Sequence, residues 1–222
     1  MTDSIPGEVV TVSPTRELSG PLNMLAVAVC LILSVGHLYL ALFPVISEFE
    51  RNVFHFAGFA FLAALLYPVI PRDSLKKSRA AIASDIALGL IAVAGATWMA
   101  LAEDAIYARG VNFAPMDWIA AIATIVAATE LTRRVSGLVI PILIVLSLTY
   151  VGWWGSIVGG VFSFRGLSWE TVLFRSIYGD DAIFGTIARI SSTYVFLFII
   201  FGSFLIRSGA GEFVIDLARA IA

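Results

Sequence analysis

The sequence holds a single cysteine, Cys30, so it can form no intramolecular disulfide and no cysteine-based metal cluster. It also lacks HExxH, GxSxG and a P-loop, which removes the strongest signals for a metalloprotease, an esterase or an ATPase. No enzyme activity and no bound cofactor are expected. Basic runs are missing beyond Arg72 to Arg79, and a net charge of −2 points to no nucleic-acid partner. Charge of either sign is scarce, at 14% of residues, where soluble domains carry about a quarter.

What fills the space is apolar: 59% of residues are hydrophobic, and the mean hydropathy is +0.95. Thirty residues separate Glu17 from Glu48 without one Lys, Arg, Asp or Glu. About 20 apolar residues in a helix cross a hydrocarbon core of ~30 Å, where only the helix itself satisfies the backbone. The expected class is an all-α polytopic membrane protein with the lipid bilayer as its solvent.

Residues Met1 to Ser19, rich in Pro, Ser and Thr, lack the basic start and short apolar core of a secretory signal and read as a disordered cytoplasmic tail. Charge-free windows then place spans at Leu22 to Phe43, Asn52 to Ile70 and Ile86 to Ala102, the third reaching back to Ala81 if Asp85 is tolerated. Trp118 to Trp154 would be about 55 Å long as one helix and must turn back. The break reads at Thr132 to Gly137, giving a fourth span that ends near Leu131 and a fifth from Leu138 to Trp154, with Pro141 in its first turn. A sixth runs from Ile190 to Ile206.

Lys and Arg fall nine on one side of these six spans and five on the other, so both termini are expected to be cytoplasmic. Between Trp154 and Ile190, Leu167, Val172, Leu173 and Ile177 recur at helical spacing among polar residues, the pattern of an interfacial amphipathic helix. After Gly209 and Gly211, EFVIDLARAIA begins a further helix.

Polar residues inside spans are functional candidates by default, and each competes with a packing explanation. A neutral His37 bonded to a neighbouring helix needs no ligand, and Glu50, Arg51 and His55 at the entrance of the second span read as interfacial pairing. Glu130 lies three and four residues from Arg133 and Arg134, the spacing of a local ion pair. Asp85 has no cationic neighbour on its own helical face and can snorkel from near the membrane surface. With Arg189, these residues (Asp85, Glu130, Arg133, Arg134) are the candidates for a structural or coupling role.

Three blocks then suggest a family: ERNVFHFAGFAFLAALLYP at 50–68, ATELTRRVSGLVIPILIVLSLTYVGWWG at 128–155, and IYGDDAIFGTIARISSTYVFLFIIFGSFLIRSGAGEFVIDLARAIA at 177–222. The chain resembles the N-terminal part of the fused membrane subunit of a tripartite ATP-independent periplasmic (TRAP) transporter, of the type associated with TAXI binding proteins. The resemblance implies a four-helix small-component-like domain over 20–134 and the start of a large-component-like transport domain over 135–222. It implies a bacterial cytoplasmic membrane, sodium as coupling ion, and a periplasmic TAXI-type solute-binding protein as partner, together with the remaining part of the large component.

On that reading the chain supplies the scaffold part of a permease for organic-acid-type solutes. Arg51, Glu103, Asp104, Arg109, Asp180 and Asp181 become candidates for docking the binding protein. The hairpins that hold sodium and substrate in the family have no matching positions, so sodium sites are expected outside this chain. The other class left open is a truncated structural or assembly module that moves nothing by itself.

Overall fold

In the computed structural model, which describes residues 15–69 and 78–221, every regular element among the described residues is helical. Helix α1 spans Gly20–Leu42, with Pro21 in its first turn, where a missing N–H does no harm. Helix α2, Glu48–Leu66, begins at a reciprocal cap: the Glu50 N–H donates to Ser47 Oγ at 3.1 Å, and the Ser47 N–H to Glu50 Oε2 at 2.7 Å. Helix α3, Arg79–Ala108, is 30 residues long and overruns both ends of the expected third span. Helix α4, Pro115–Ser136, starts on a proline and ends at Gly137, whose φ of +82° lets the chain reverse at once into α5, Val139–Gly152.

Two short 3₁₀ turns, Trp154–Ser156 and Gly160–Phe162, lead to α6, Trp169–Tyr178, capped by Ser168. Helix α7, Thr186–Arg207, contains one π-turn at Ser191–Val195. After Gly209, at φ +72°, the chain enters α8, Ala210–Ile221.

Helices α2, α3 and α4 run antiparallel side by side and form the core. Lipid gives helices no hydrophobic reason to associate, so close backbone approach has to supply the attraction, and the contact positions are accordingly small. Ala64 of α2, Ala92 and Ala96 of α3, and Ala121 and Ala127 of α4 are fully inaccessible. A Cβ on Gly95 would lie 2.6 Å from Thr124 Oγ1 and 3.1 Å from the Ala120 carbonyl, so α3 meets α4 at a distance only glycine permits. Helix α6 packs against this unit through Leu173 and Ile177, which join Met99, Ile106 and Ala120 in one buried cluster. Helix α1 lies antiparallel to α2, with Leu33 packed against Gly58, and α7 contacts both.

Among the described residues, four helices are long and apolar enough to cross a membrane: α1, α2, α3 and α7. Their uncovered surfaces are apolar, as on α7, where Phe198, Ile199, Phe201, Phe204 and Ile206 are all exposed, and this fits a multi-pass membrane protein. The other two expected spans fold as helices of different character. Helix α5 stops after 14 residues, about 21 Å, because Gly152 and Gly155 admit a fold-back at Trp153 and Trp154. Helix α4 is 22 residues long but carries Asp117, Glu130, Arg133 and Arg134 towards its ends.

The expected disordered tail needs correction at its end: Arg16 is buried, and its N–H donates to the Leu66 carbonyl at 2.7 Å. Positions 1–14, Ile70 and the basic residues Arg72, Lys76 and Lys77 lie outside the described residues.

The close α3–α4 approach yields a test. Gly95→Leu is expected to lower the thermal unfolding midpoint of the detergent-solubilised protein markedly, whereas Gly202→Leu, on an open face with nothing within 4 Å, leaves it unchanged. Equal effects of the two substitutions would contradict this packing.

Candidate functional site

The polar side chains gather in three places along the bundle. At one end, where α2 and α4 finish and α3 begins, Asp85 is wholly buried. Its Oδ2 accepts from Arg16 Nη2 at 2.6 Å, and its Oδ1 from Arg134 Nη1 at 2.7 Å and the Val69 N–H at 3.2 Å. The same guanidinium groups cap α2, since Arg16 Nη1 donates to the Leu65 carbonyl at 3.1 Å and Arg134 Nη1 to the Tyr67 carbonyl at 3.0 Å. Glu130 completes the network, accepting from Arg133 Nε and Nη2 at 2.7 Å each and from Arg134 Nε at 2.9 Å. Asp85 therefore does not snorkel: two buried arginines reach it.

Asp117 organises the opposite end. It is buried at 2% exposure, and it accepts from Trp98 Nε1 at 3.0 Å, from the Ala114 N–H at 2.8 Å and from Arg109 Nη2. Glu170 of α6 accepts from the Phe113 N–H at 2.6 Å, and the Tyr178 hydroxyl donates to the Met99 carbonyl at 2.6 Å, so α6 is tied to the same end. Burial, with Glu103 nearby, pushes the Tyr178 hydroxyl well above the usual tyrosine range, which keeps its proton available for that bond.

The third cluster joins α1, α2 and α7. Asn52, 1% exposed, donates from Nδ2 to the Phe184 carbonyl at 2.9 Å and accepts from Ser192 Oγ at 2.8 Å. Three residues along, His55 Nδ1 lies 2.9 Å from His37 Nε2, and His55 Nε2 lies 3.0 Å from Ser191 Oγ. His37 Nδ1 is 2.7 Å from the Leu33 carbonyl, and its ring sits 4.2 Å from that of Phe196. Both serines belong to the π-turn of α7, a local irregularity that recurs at functional sites.

Of the residues singled out in the sequence, Asp85, Glu130, Arg133 and Arg134 come together, and Arg189 does not join them. It pairs with Glu48 at 3.3 Å, at the bundle's other end. Arg51, Glu103, Asp104 and Arg109 also belong to that end; Arg51 Nε is buried without a hydrogen-bond partner, and Asp104 is exposed. Asp180 and Asp181 are exposed after α6, and Asp181 lines a cavity of about 310 Å³ with Thr129, Thr132 and Ser176, beside the later half of α4. Sequence reasoning missed Arg16, Asp117, Asn52 and both serines. Asp117 had a readable signal, an acid two residues after a proline at a helix start; the others had none. Among the described residues, no group of three or more His, Cys, Asp or Glu could hold a metal ion.

No protein-family model, curated protein or solved structure matches the chain.

Asp85→Ala would take the shared anion from two buried guanidinium groups, leaving Arg134 only Glu130, and is expected to destabilise the protein by about 3–5 kcal/mol. Arg16→Ala leaves Arg134 on the carboxylate and should lower the unfolding midpoint in detergent less. The reverse order would show that Asp85 does not hold this end.

Proposed function

We propose that the chain is the scaffold part of a sodium-coupled, binding-protein-dependent permease of the TRAP type, with six membrane segments and both termini cytoplasmic. The observation that carries this reading is a contrast within the fold. The α2–α4 unit is braced at both ends by buried carboxylate networks, while α5, α7 and α8 leave broad apolar faces uncovered. A rigid frame with unpartnered apolar helices suits a scaffold against which further membrane helices pack and move. The end that holds Asp117 gathers Glu103, Asp104 and Arg109, a charged face on which a solute-loaded TAXI-type binding protein would dock, with the exposed Asp180 and Asp181 as further docking candidates. The transported solute is then of organic-acid type, and the membrane is the bacterial cytoplasmic one.

The orientation rests on the sequence count of cations, and the described ones sort to the ends that this count assigns them. Arg16, Arg79, Arg133 and Arg134 lie at one end of the bundle and Arg51, Arg109, Arg175 and Arg189 at the other, in line with the nine-to-five division. With Cys30 replaced by alanine, a cysteine at Ser136 should be protected from an impermeant maleimide in intact cells, and cysteines at Ala105 and Ser163 should react. Labelling at Ser136 with protection at Ala105 would invert the orientation.

Function is tested in liposomes carrying an inward sodium gradient and a binding protein loaded with a radiolabelled organic acid. Uptake is expected when this chain is combined with the remaining part of a large component, and not with the chain alone. Accumulation by the chain alone would overturn the scaffold role. Stable association with the partner, without uptake in the complete system, would place the chain among assembly modules.

A further inference from the structure

The hydrogen-bond chain through His37 and His55 has a direction that follows from its ends. A carbonyl only accepts, so His37 Nδ1 must carry the hydrogen that meets Leu33 O at 2.7 Å. In a neutral ring His37 Nε2 is then bare and accepts, so the hydrogen in the 2.9 Å contact belongs to His55 Nδ1. His55 Nε2 is bare in turn and accepts from the Ser191 hydroxyl at 3.0 Å. Both neutral rings are therefore held as the Nδ1–H form, and one basic nitrogen of the pair faces outward along the chain.

That outward nitrogen is reachable. His55 and Ser191 line a groove of about 430 Å³ between α2, α4 and the start of α7, whose other polar residues, Thr132 and Ser136, lead towards the bundle end that holds Asp85. His37, at 2% exposure, lies behind His55 against Phe54 and Phe196.

We propose that His37, His55 and Ser191 form a proton-binding site that takes up one proton per pair of rings from this groove. The arriving proton bonds to His55 Nε2, and the Ser191 hydroxyl turns its own hydrogen away and accepts from the new N–H. The His55 Nδ1 proton can then cross to His37 Nε2, which leaves His55 neutral with its hydrogen on Nε2. No atom moves except protons: the two bonds between Ser191 and His37 reverse, and His37, still donating from Nδ1 to the Leu33 carbonyl, carries the charge. A second proton would set two N–H groups against each other across 2.9 Å, so the pair holds one.

Among the described residues, no acid lines the groove beside the pair. On α1 the only titratable side chain facing the pair is His37 itself; α2 adds the cationic Arg51, α7 adds Arg189, already held by Glu48, and α4 presents only Thr132 and Ser136. Asp181 is the acid that lines the adjoining cavity. The ligand is thus a bare proton shared between two imidazoles, and its uptake bears on the junction where α7 meets α1 and α2.

The test is nitrogen-15 NMR of histidine-labelled full-length protein in lipid bilayers across a pH series. Both neutral rings are expected as Nδ1–H, and the two together bind one proton, against two for independent imidazoles. Ser191→Ala, which removes the acceptor of the charged ring but leaves the ring-to-ring bond, should weaken proton affinity about tenfold, the difference between a charge-assisted and a neutral hydrogen bond. His37→Phe, set among Phe54, Phe59 and Phe196, should leave His55 as a single titrating ring with mixed tautomers. An Nε2–H form of either ring before proton uptake, two protons bound, or an affinity unmoved by Ser191→Ala would overturn the site.

Discussion

A carboxylate taken out of water demands cationic partners, and a helix end taken out of water demands donors for its last carbonyls. At the end of the bundle that holds Asp85, the same two guanidinium groups meet both demands. Arg16 and Arg134 each place one hydrogen bond on Asp85 and one on the closing turn of α2, at Leu65 and Tyr67. Four stretches of chain therefore meet on one anion: the segment ahead of α1, the end of α2, the start of α3 and the end of α4. Asp85 is the shared centre of the arrangement: either arginine can go and leave the other on the carboxylate, whereas loss of the carboxylate takes the anion from both.

The same logic governs the Asp117 end with different parts. There a tryptophan N–H, a backbone N–H and an arginine converge, and α6 adds its own bonds from Glu170 and Tyr178. Between the two ends the α2–α4 unit uses close approach and almost no polarity, with Ala64 and Ala92 in one buried cluster, Ala96 and Ala121 in another, and Thr124 bonded to its own helix at Ala120. Polar anchors at the ends set register, and small residues in the middle set distance. Helix α1 follows another rule, since only Ala26, Leu33 and His37 of its 23 residues are buried and its hold on the bundle is local.

Local interactions were legible in the sequence, and long-range ones were not. Glu130 with Arg133 and Arg134 could be read from spacing, because three and four residues bring helix side chains together. The partners of Asp85 lie 69 and 49 residues away, and nothing in a helical period announces them. Arg16 was misread because it sits in a polar stretch whose composition matches a tail, although its burial depends on an acid far along the chain. Charge-free windows located the helices but ran α5 on to Trp154, two residues past its end at Gly152, because Trp153, Trp154 and the glycines around them are as apolar as a span while their backbone turns away. The His37–His55 contact was invisible for the same reason as Asp85: each residue alone has an adequate explanation, and only the crossing of α1 over α2 brings them together.

The π-turn of α7 ties these observations together. Asn52 and His55 are three residues apart and share one face of α2. Their partners Ser192 and Ser191 are consecutive, and consecutive residues of a regular α-helix point about 100° apart. A single wider turn over Ser191–Val195 alters that angle where two adjacent serines must both address one neighbouring face. The bond from Asn52 Nδ2 to the Phe184 carbonyl, just ahead of α7, fixes the same helix from its entry side. Beyond Phe196 the helix is apolar and bare, with Phe198, Phe201, Phe204 and Ile206 all exposed. Among the described residues the polar attachment of α7 is thus concentrated in its first three turns, while Ile200 and Ser203 further along lie beside Leu33 and Ser34 of α1. Whatever changes the hydrogen bonding in those turns acts on the polar part of the hold on this helix.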